Sequence, residues 1–316
     1  MKSLVAPERS VRLDNLLAQA GIAARRDARQ FCRQFEVTMV GADGRSATPV
    51  LTGATKVDPA RLRIDGEPVE HAGRPLHLLM HKPAGYVCSH ADDEGASVYD
   101  LLPRSFNMRR PPLASIGRLD RDATGLLLFT QNGALNARLT SPRRACAKDY
   151  LVSLAAPLSA TGMEAAALAA GRLALADGSI AKPATLRRHP TLPNVARVTL
   201  SEGRYHQLRR MFAALGHTVT GIHRVGFGGL WLPPTATLAP GAWRFLTPAE
   251  LTTLLEGSAV TSPPPRAASE SARMRASARD AAGDYADVDD LNAAVADVDD
   301  YVDVAGGGDD GAAPVK

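Results

Sequence analysis

Asp120 lies between Arg118 and Arg121 in the run Gly117-Arg118-Leu119-Asp120-Arg121-Asp122-Ala123-Thr124-Gly125. Neighbouring cations favour the charged form of a carboxylate, and a charged carboxylate can act as a nucleophile without a helper base. The same arrangement is also that of an ordinary solvated ion pair, so the residue types alone leave both readings open. Glu202-Gly203-Arg204-Tyr205-His206-Gln207-Leu208-Arg209-Arg210-Met211-Phe212 gathers basic and aromatic residues on one segment. Lys148-Asp149-Tyr150 sets a phenol at the head of Leu151-Val152, where by itself it reads as core packing with a buried hydroxyl. His77, His81 and His90 invite a metal reading, but no Cys or carboxylate stands at ligand spacing on the same element, so no metal is expected. A hydrolase pairing Asp120 with His206 or His223 has no supporting spacing.

The elements that must position these groups are short. Leu126-Leu127-Leu128-Phe129, between a Gly and the polar Thr130-Gln131-Asn132-Gly133, reads as a buried strand fed by the loop that carries Asp120. Tyr205, Leu208, Phe212 and Leu215 form a helical stripe that Gly216 would end. Thr161-Gly162-Met163-Glu164 reads as a capping box opening a helix through Ala170. Pro83 and Gly85 bracket a tight turn after the apolar run Leu76 to Met80. Nearer the N-terminus, Leu13, Leu16, Leu17 and Ala20 mark a helix stopped by Gly21, and a second helix is expected over 24–33 with Ala28, Phe31 and Cys32 inward. Short strands are expected at Val37, Met39 and Leu62 to Ile64, with an Asp43-Gly44 turn. In the second helix Arg26, Arg29 and Arg33 can share one face, a pattern that also fits a plain solvated surface.

A chain of 316 residues has room for about two domains and a tail. Residues 1–10 lack periodicity and are expected to be a flexible end, 11–70 a first domain, 71–75 a linker, and 76–257 a second domain. Residues 258–316, rich in Ala, Asp and Gly, are expected to be a disordered acidic tail. That tail carries five basic and twelve acidic residues, a net of −7, so of the chain's +4 the body carries +11. A basic body is the footprint of a phosphate-binding protein, and the tail could compete with that ligand. Three widely spaced cysteines suit neither a disulfide framework nor a metal site. With no apolar stretch of membrane length and no apolar leader, a cytoplasmic protein without a membrane partner is expected.

Gly117-Arg118-Leu119-Asp120 followed by Thr124-Gly125-Leu126-Leu127-Leu128 resembles the signature of the pseudouridine synthases, in particular the RsuA branch that modifies ribosomal RNA. The turn Lys82-Pro83-Ala84-Gly85, the Lys148-x-Tyr150 motif and the run from Glu202 to Phe212 are similar to further motifs of that branch, and the similarity extends over residues 11 to 255. The resemblance implies that Asp120 is catalytic, that Tyr150 packs on the target base, and that Leu208 and Arg209 line the site, with Arg209 paired to Asp120. It makes Arg118 the residue that enters the space left by a flipped base, while Asp122 is assigned no catalytic role. The segment around Arg25, Arg26 and Arg29 resembles the S4 RNA-binding domain, which makes those arginines candidate RNA contacts.

The implied fold is α+β. It has a small S4-like RNA-binding domain followed by a mixed α/β pseudouridine synthase domain with a largely antiparallel sheet and a central cleft. The implied reaction needs no cofactor. The implied partner is 16S rRNA, by resemblance at position 516, within an assembling small subunit and with the enzyme a monomer; 23S rRNA or a non-catalytic assembly role are the alternatives.

Overall fold

The computed structural model describes residues 10–69, 71, 73–90, 95–189, 191–256 and 302–303. It begins with β1 (Val11–Arg12), α1 (Leu13–Ala20), a 3-10 turn over Arg25–Asp27, and α2 (Ala28–Gln34). β2 (Val37–Val40), β3 (Ala47–Pro49), β4 (Lys56–Val57), β5 (Leu62–Ile64) and β6 (Glu67–Pro68) follow. β3-β2-β5-β6 form an antiparallel sheet, and β1 pairs with β4. Leu13, Leu16, Leu17 and Ala20 are buried at the spacing of one helix face, and the three leucines close a core with Ala28, Phe31, Val37 and Leu62. Gly21 adopts the left-handed conformation at φ 72°, which lets the Ile22 N–H turn back to the Leu17 carbonyl and ends α1 where the sequence expects it. The second expected helix splits. Arg25 and Arg26 lie in the 3-10 turn, and the α-helix starts only at Ala28.

Next come β7 (His77–Lys82), α3 (Arg104–Asn107), β8 (Ala114–Ser115), β9 (Thr124–Thr130), α4 (Gly133–Thr140), β10 (Lys148–Leu154) and α5 (Met163–Ala169). β11 (Thr185–Arg188), β12 (Val195–Leu200), α6 (Gln207–Ala214), β13 (Val219–Phe227), β14 (Leu230–Trp231), β15 (Trp243–Phe245) and α7 (Pro248–Glu256) complete this part. The main sheet runs β15-β7-β9-β13-β10-β12-β11, with β8 added to β9 and β14 to β13. Its neighbours are antiparallel except where β9 meets β13, a parallel seam pairing Thr124 with His223 and Gly125 with Arg224. Leu127 and Phe129 pack into a large core on one face of β9, Leu126 and Leu128 into a second core on the other. Burial on both faces is why this strand reads as an unbroken apolar run instead of alternating.

His71 and Arg74, in the segment that joins the first unit to the second, are pinned down. The His71 ring lies 4.1 Å from that of Phe245, and the buried Arg109 Nη2 donates to the Arg74 carbonyl at 2.9 Å. The Arg110 N–H donates to the Ala18 carbonyl at 2.8 Å, so the first helix touches the second unit directly.

Two expectations need correction. The capping box at Thr161 does not form: Gly162 takes the N-cap position at φ 72°, and Glu164 instead accepts from the Ser159 N–H at 2.9 Å and lies 3.0 Å from His217 Nε2. The helix expected from the stripe beginning at Tyr205 starts only at Gln207, so Tyr205 precedes it and is exposed, while Leu208, Met211 and Phe212 make the buried stripe. The flexible end expected at residues 1–9 and the disordered tail expected over 258–301 and 304–316 lie outside the described residues. Within the tail, β16 (Val302–Asp303) pairs antiparallel with β11, opposite Arg188 and Arg187.

Candidate active site

The loop carrying Asp120 is fixed from beneath by Lys82, the last residue of β7. Its fully buried ammonium donates to the carbonyls of Pro83 at 3.0 Å, Arg121 at 3.2 Å and Ala123 at 2.7 Å. Three acceptors match the three donors of an ammonium, so a cation is held here without a contacting carboxylate. Burial pushes the Lys82 pKa down to about 8, against the opposing pull of Cys88, Asp122 and Asp120. The Lys-Pro-x-Gly turn adds a second tie: the Gly85 N–H donates to the Arg121 carbonyl at 2.8 Å, and Arg121 Nε returns a bond to the Gly85 carbonyl at 3.2 Å. Leu119 is buried beside Cys88. Asp120, the next residue, projects from this clamped loop with its side chain 30% exposed.

Gly125 lets the loop enter the sheet at the parallel seam. Its φ is +105°, and a Cβ there would stand 2.3 Å from the Arg224 carbonyl oxygen and 2.6 Å from the Arg224 nitrogen. Only Gly allows the two backbones this close. Arg224, 1% exposed, donates through Nε to the Leu126 carbonyl at 2.7 Å and lies over the Phe227 ring at 5.3 Å. Its Nη2 is buried and has no hydrogen-bond partner among the described residues.

These pieces surround an open cavity of about 760 Å³. Tyr150 from β10, Leu208 from α6 and Ile222 from β13 supply apolar wall, and Arg118, Arg121, Lys148, Arg204 and Arg224 supply positive charge. Among the described residues, Asp120 is the one acidic side chain lining it. Tyr150 sits at a register shift between Asp149 and Tyr150 in the pairing of β10 with β13. Asp149 is locked by Arg197 at 3.1 Å and Thr199 Oγ1 at 2.7 Å, so the bulged strand has a fixed anchor next to the cavity residue. Lys148 donates to the Cys146 carbonyl at 2.8 Å, and burial lowers its pKa.

Of the residues singled out in the sequence, Asp120, Tyr150, Leu208 and Arg118 meet at this cavity. Arg209 does not pair with Asp120. Its Nη2 reaches Asp122 Oδ2 at 2.5 Å and its Nη1 donates to the Val219 carbonyl at 3.0 Å, tying α6 to β13 and to the Asp120 loop. The reason is directional: Leu208 points inward, so the next residue along the helix faces the outer flank of the loop, where Asp122 lies. The carboxylate of Asp120 instead has His206 Nε2 at 3.8 Å. His223 is 2% exposed, and burial, reinforced by His81, pushes its pKa down to about 3, which leaves it a neutral core residue. Arg25, Arg26 and Arg29 are exposed and none of them lines the cavity; Arg25 lies 3.8 Å from Asp14 and Arg26 3.6 Å from Asp27.

Lys82, Arg204, His206 and Arg224 were not identified from the sequence as site residues. Gly125 at the head of the apolar run was a usable sign of close backbone approach. The three histidines weighed for a metal part company: His77 Nδ1 is 2.9 Å from Thr130 Oγ1, His81 Nδ1 is 3.0 Å from the Leu238 carbonyl, and His90 stacks on Tyr99.

A profile described as RNA pseudouridylate synthase matches residues 76–214. The ribosomal small subunit pseudouridine synthase A of Pasteurella multocida is 38% identical over 244 residues, covering 77% of this chain and 99% of the relative. Its namesake from Escherichia coli K12 is 37% identical over 246 residues, covering 78% and 100%. A crystal structure of a pseudouridylate synthase superposes with a TM-score of 0.51 at 34% identity, over 77% of this chain and 99% of the other. Similarity at this level over nearly the full length of the relatives, together with a cavity that gathers the motif residues Asp120, Tyr150 and Leu208, establishes that the chain belongs to the RNA pseudouridylate synthase family.

Proposed function

We propose that this protein converts a uridine of 16S rRNA, by resemblance the one at position 516, into pseudouridine. The observation that carries the reading is a lone carboxylate, Asp120, in a basic cavity walled by Tyr150 and Leu208. RNA phosphates complement the five cationic side chains, and a flat uracil fits against an aromatic and an aliphatic wall. The relatives named for small-subunit RNA support the choice of 16S over 23S rRNA.

In the reaction the bond from ribose C1′ to uracil N1 breaks, the base turns, and C1′ bonds to C5. C5 then loses its proton and N1 gains one, so no oxidant or group donor is consumed. The target base must first leave its stack, at a cost of a few kcal/mol. Arg118, exposed at the rim, fills the vacated space, and Tyr150 and Leu208 hold the extruded ring. Asp120 starts the chemistry at C1′, at C6, or by taking the C2′ proton. Arg209 acts one step removed, through Asp122 and the loop. Residues 11–70 serve as an S4-like module whose Arg25, Arg26 and Arg29 attract the RNA backbone. The enzyme works as a cytoplasmic monomer on the assembling subunit; no helix among the described residues is long and apolar enough to cross a membrane.

Tritium release from RNA labelled at uridine C5 tests this reading. Release from 16S but not 23S transcripts is expected. Release from 23S alone would move the target to the large subunit, and binding without release from either would make the protein a non-catalytic RNA-binding factor.

A further inference from the structure

Tyr205 is 77% exposed, the most exposed large apolar or aromatic side chain among the described residues, yet it lines the same cavity as Asp120. Its ring lies on the imidazole of His206, with centroids 3.9 Å apart and an interplanar angle of 17°. His206 holds a left-handed backbone at φ 48°, a conformation uncommon outside Gly, so the turn presents both rings outward. The turn is also tightly bonded. Glu202 Oε1 accepts from Gln207 Nε2 at 2.6 Å and from the Lys182 N–H at 3.1 Å, and Gln207 Oε1 accepts from the Arg204 N–H at 2.9 Å. Arg204 then reaches Ser179 Oγ at 2.9 Å.

An aromatic ring backed by a second ring, fixed on a bonded turn and otherwise in solvent is a preorganised surface for another flat group. With Arg118 and Arg204 lining the same cavity, the group that fits is a nucleobase on a phosphate chain. We propose that Tyr205, supported by His206, seats the base of a nucleotide adjacent to the target uridine. This subsite rests on the reading that RNA uridine is the substrate. The target base lies deep, against Tyr150 and Leu208, and the neighbouring base stacks at the rim as the strand leaves the cavity. Because any base offers a π face, the subsite holds the strand in place with little sequence preference. His206 itself lies 3.8 Å from Asp120, which places the platform at the edge of the site where the target base reacts.

The test uses the full chain and short RNA hairpins containing the target uridine, either unmodified or abasic at the nucleotide on one side or the other. Tyr205→Ala is expected to raise KM about ten-fold with kcat within about two-fold, the range that loss of one stacked base gives. Tyr205→Phe should match wild type, since stacking uses the ring and not the hydroxyl. One of the two abasic hairpins should weaken wild type as much as Tyr205→Ala does, with no further loss when the two are combined. An unchanged KM for Tyr205→Ala, a loss that falls on kcat alone, or a loss that is undiminished on both abasic hairpins would overturn the subsite. If wild type itself fails to turn over unmodified hairpin and transcript, it is the uridine reading that fails, not the platform alone.

Discussion

Arginine is used in two unlike ways in this molecule. Beside the cavity, behind the exposed Arg118 and Arg121, three arginines are pinned: Arg224 is buried against Leu126 and Phe227, Arg197 is locked on Asp149, and Arg209 is fastened to Asp122 and Val219. In the first unit Arg25, Arg26, Arg29 and Arg33 stand in solvent, and the ion pairs of Arg25 and Arg26 are long, at 3.8 and 3.6 Å. Pinned charges set shape and the local field where the chemistry occurs; solvated ones contribute attraction that salt screens and that specifies little. Changes at the cavity should therefore appear in turnover, and changes in the first unit should appear in binding and its salt dependence.

Among substitutions that leave Asp120 in place, Lys82→Met is expected to lower kcat the most, by about 100-fold, because three carbonyls, that of Ala123 buried, lose their donor and the loop is freed. Thermal unfolding should show a lower Tm as well. Wild-type turnover unaffected by this change would mean that the clamp does not position the carboxylate.

Arg209→Ala and Asp122→Asn come next. Each should reduce kcat by about ten-fold, and the double variant should be little worse than either, since both remove one contact. Independent, multiplying losses would show that Arg209 acts elsewhere, for example on Asp120 as the sequence suggested.

A smaller effect is expected from pH. Folded Lys82 releases its proton near pH 8, against an ordinary value of 10.5. Between those values the unfolded chain holds more protons, so this group makes stability rise with pH. The neutral amine, however, has two N–H donors for three carbonyls, so kcat should fall above about pH 8 while Tm does not. A pH profile of kcat flat to pH 9.5 would contradict this.

The mildest change is Arg26→Ala combined with Arg29→Ala. It should weaken RNA binding a few-fold at low salt, reduce the slope of log affinity against log salt by about 1 to 2, and leave kcat unchanged. A loss of kcat here would break the distinction between the two groups of arginines.

The same contrast shows what the sequence could reveal. Buried periodicity was plain: α1 and its Gly21 stop, the β9 run, and the placement of Asp120 on the loop before it all read directly from residue order. Tyr150 and Leu208 entered through resemblance and do reach the cavity. Contacts between residues far apart in sequence were not legible. Lys82 meets Arg121 and Ala123 across 39 and 41 positions, and Arg224 meets Leu126 across 98. A Lys at the end of an apolar strand looks like a residue reaching for water, and only the fold shows that it ends on carbonyls. Arg209 was given the wrong aspartate because two carboxylates two positions apart on a loop differ in direction, which local spacing cannot supply. Tyr205 was placed on a helical stripe because its spacing from Leu208, Phe212 and Leu215 is helical; the left-handed His206 starts the helix two residues later.

The most direct test of the central claim is Asp120→Asn, which keeps the size of the side chain and removes its charge. Tritium release from C5-labelled 16S transcript and RNA binding should be measured on the same preparation. The expected result is release at or below about one-thousandth of wild type, with binding within a few-fold, since the lost group is needed in the transition state and not for attraction. Release at the wild-type rate would contradict the assignment of Asp120 as the residue that starts the isomerisation.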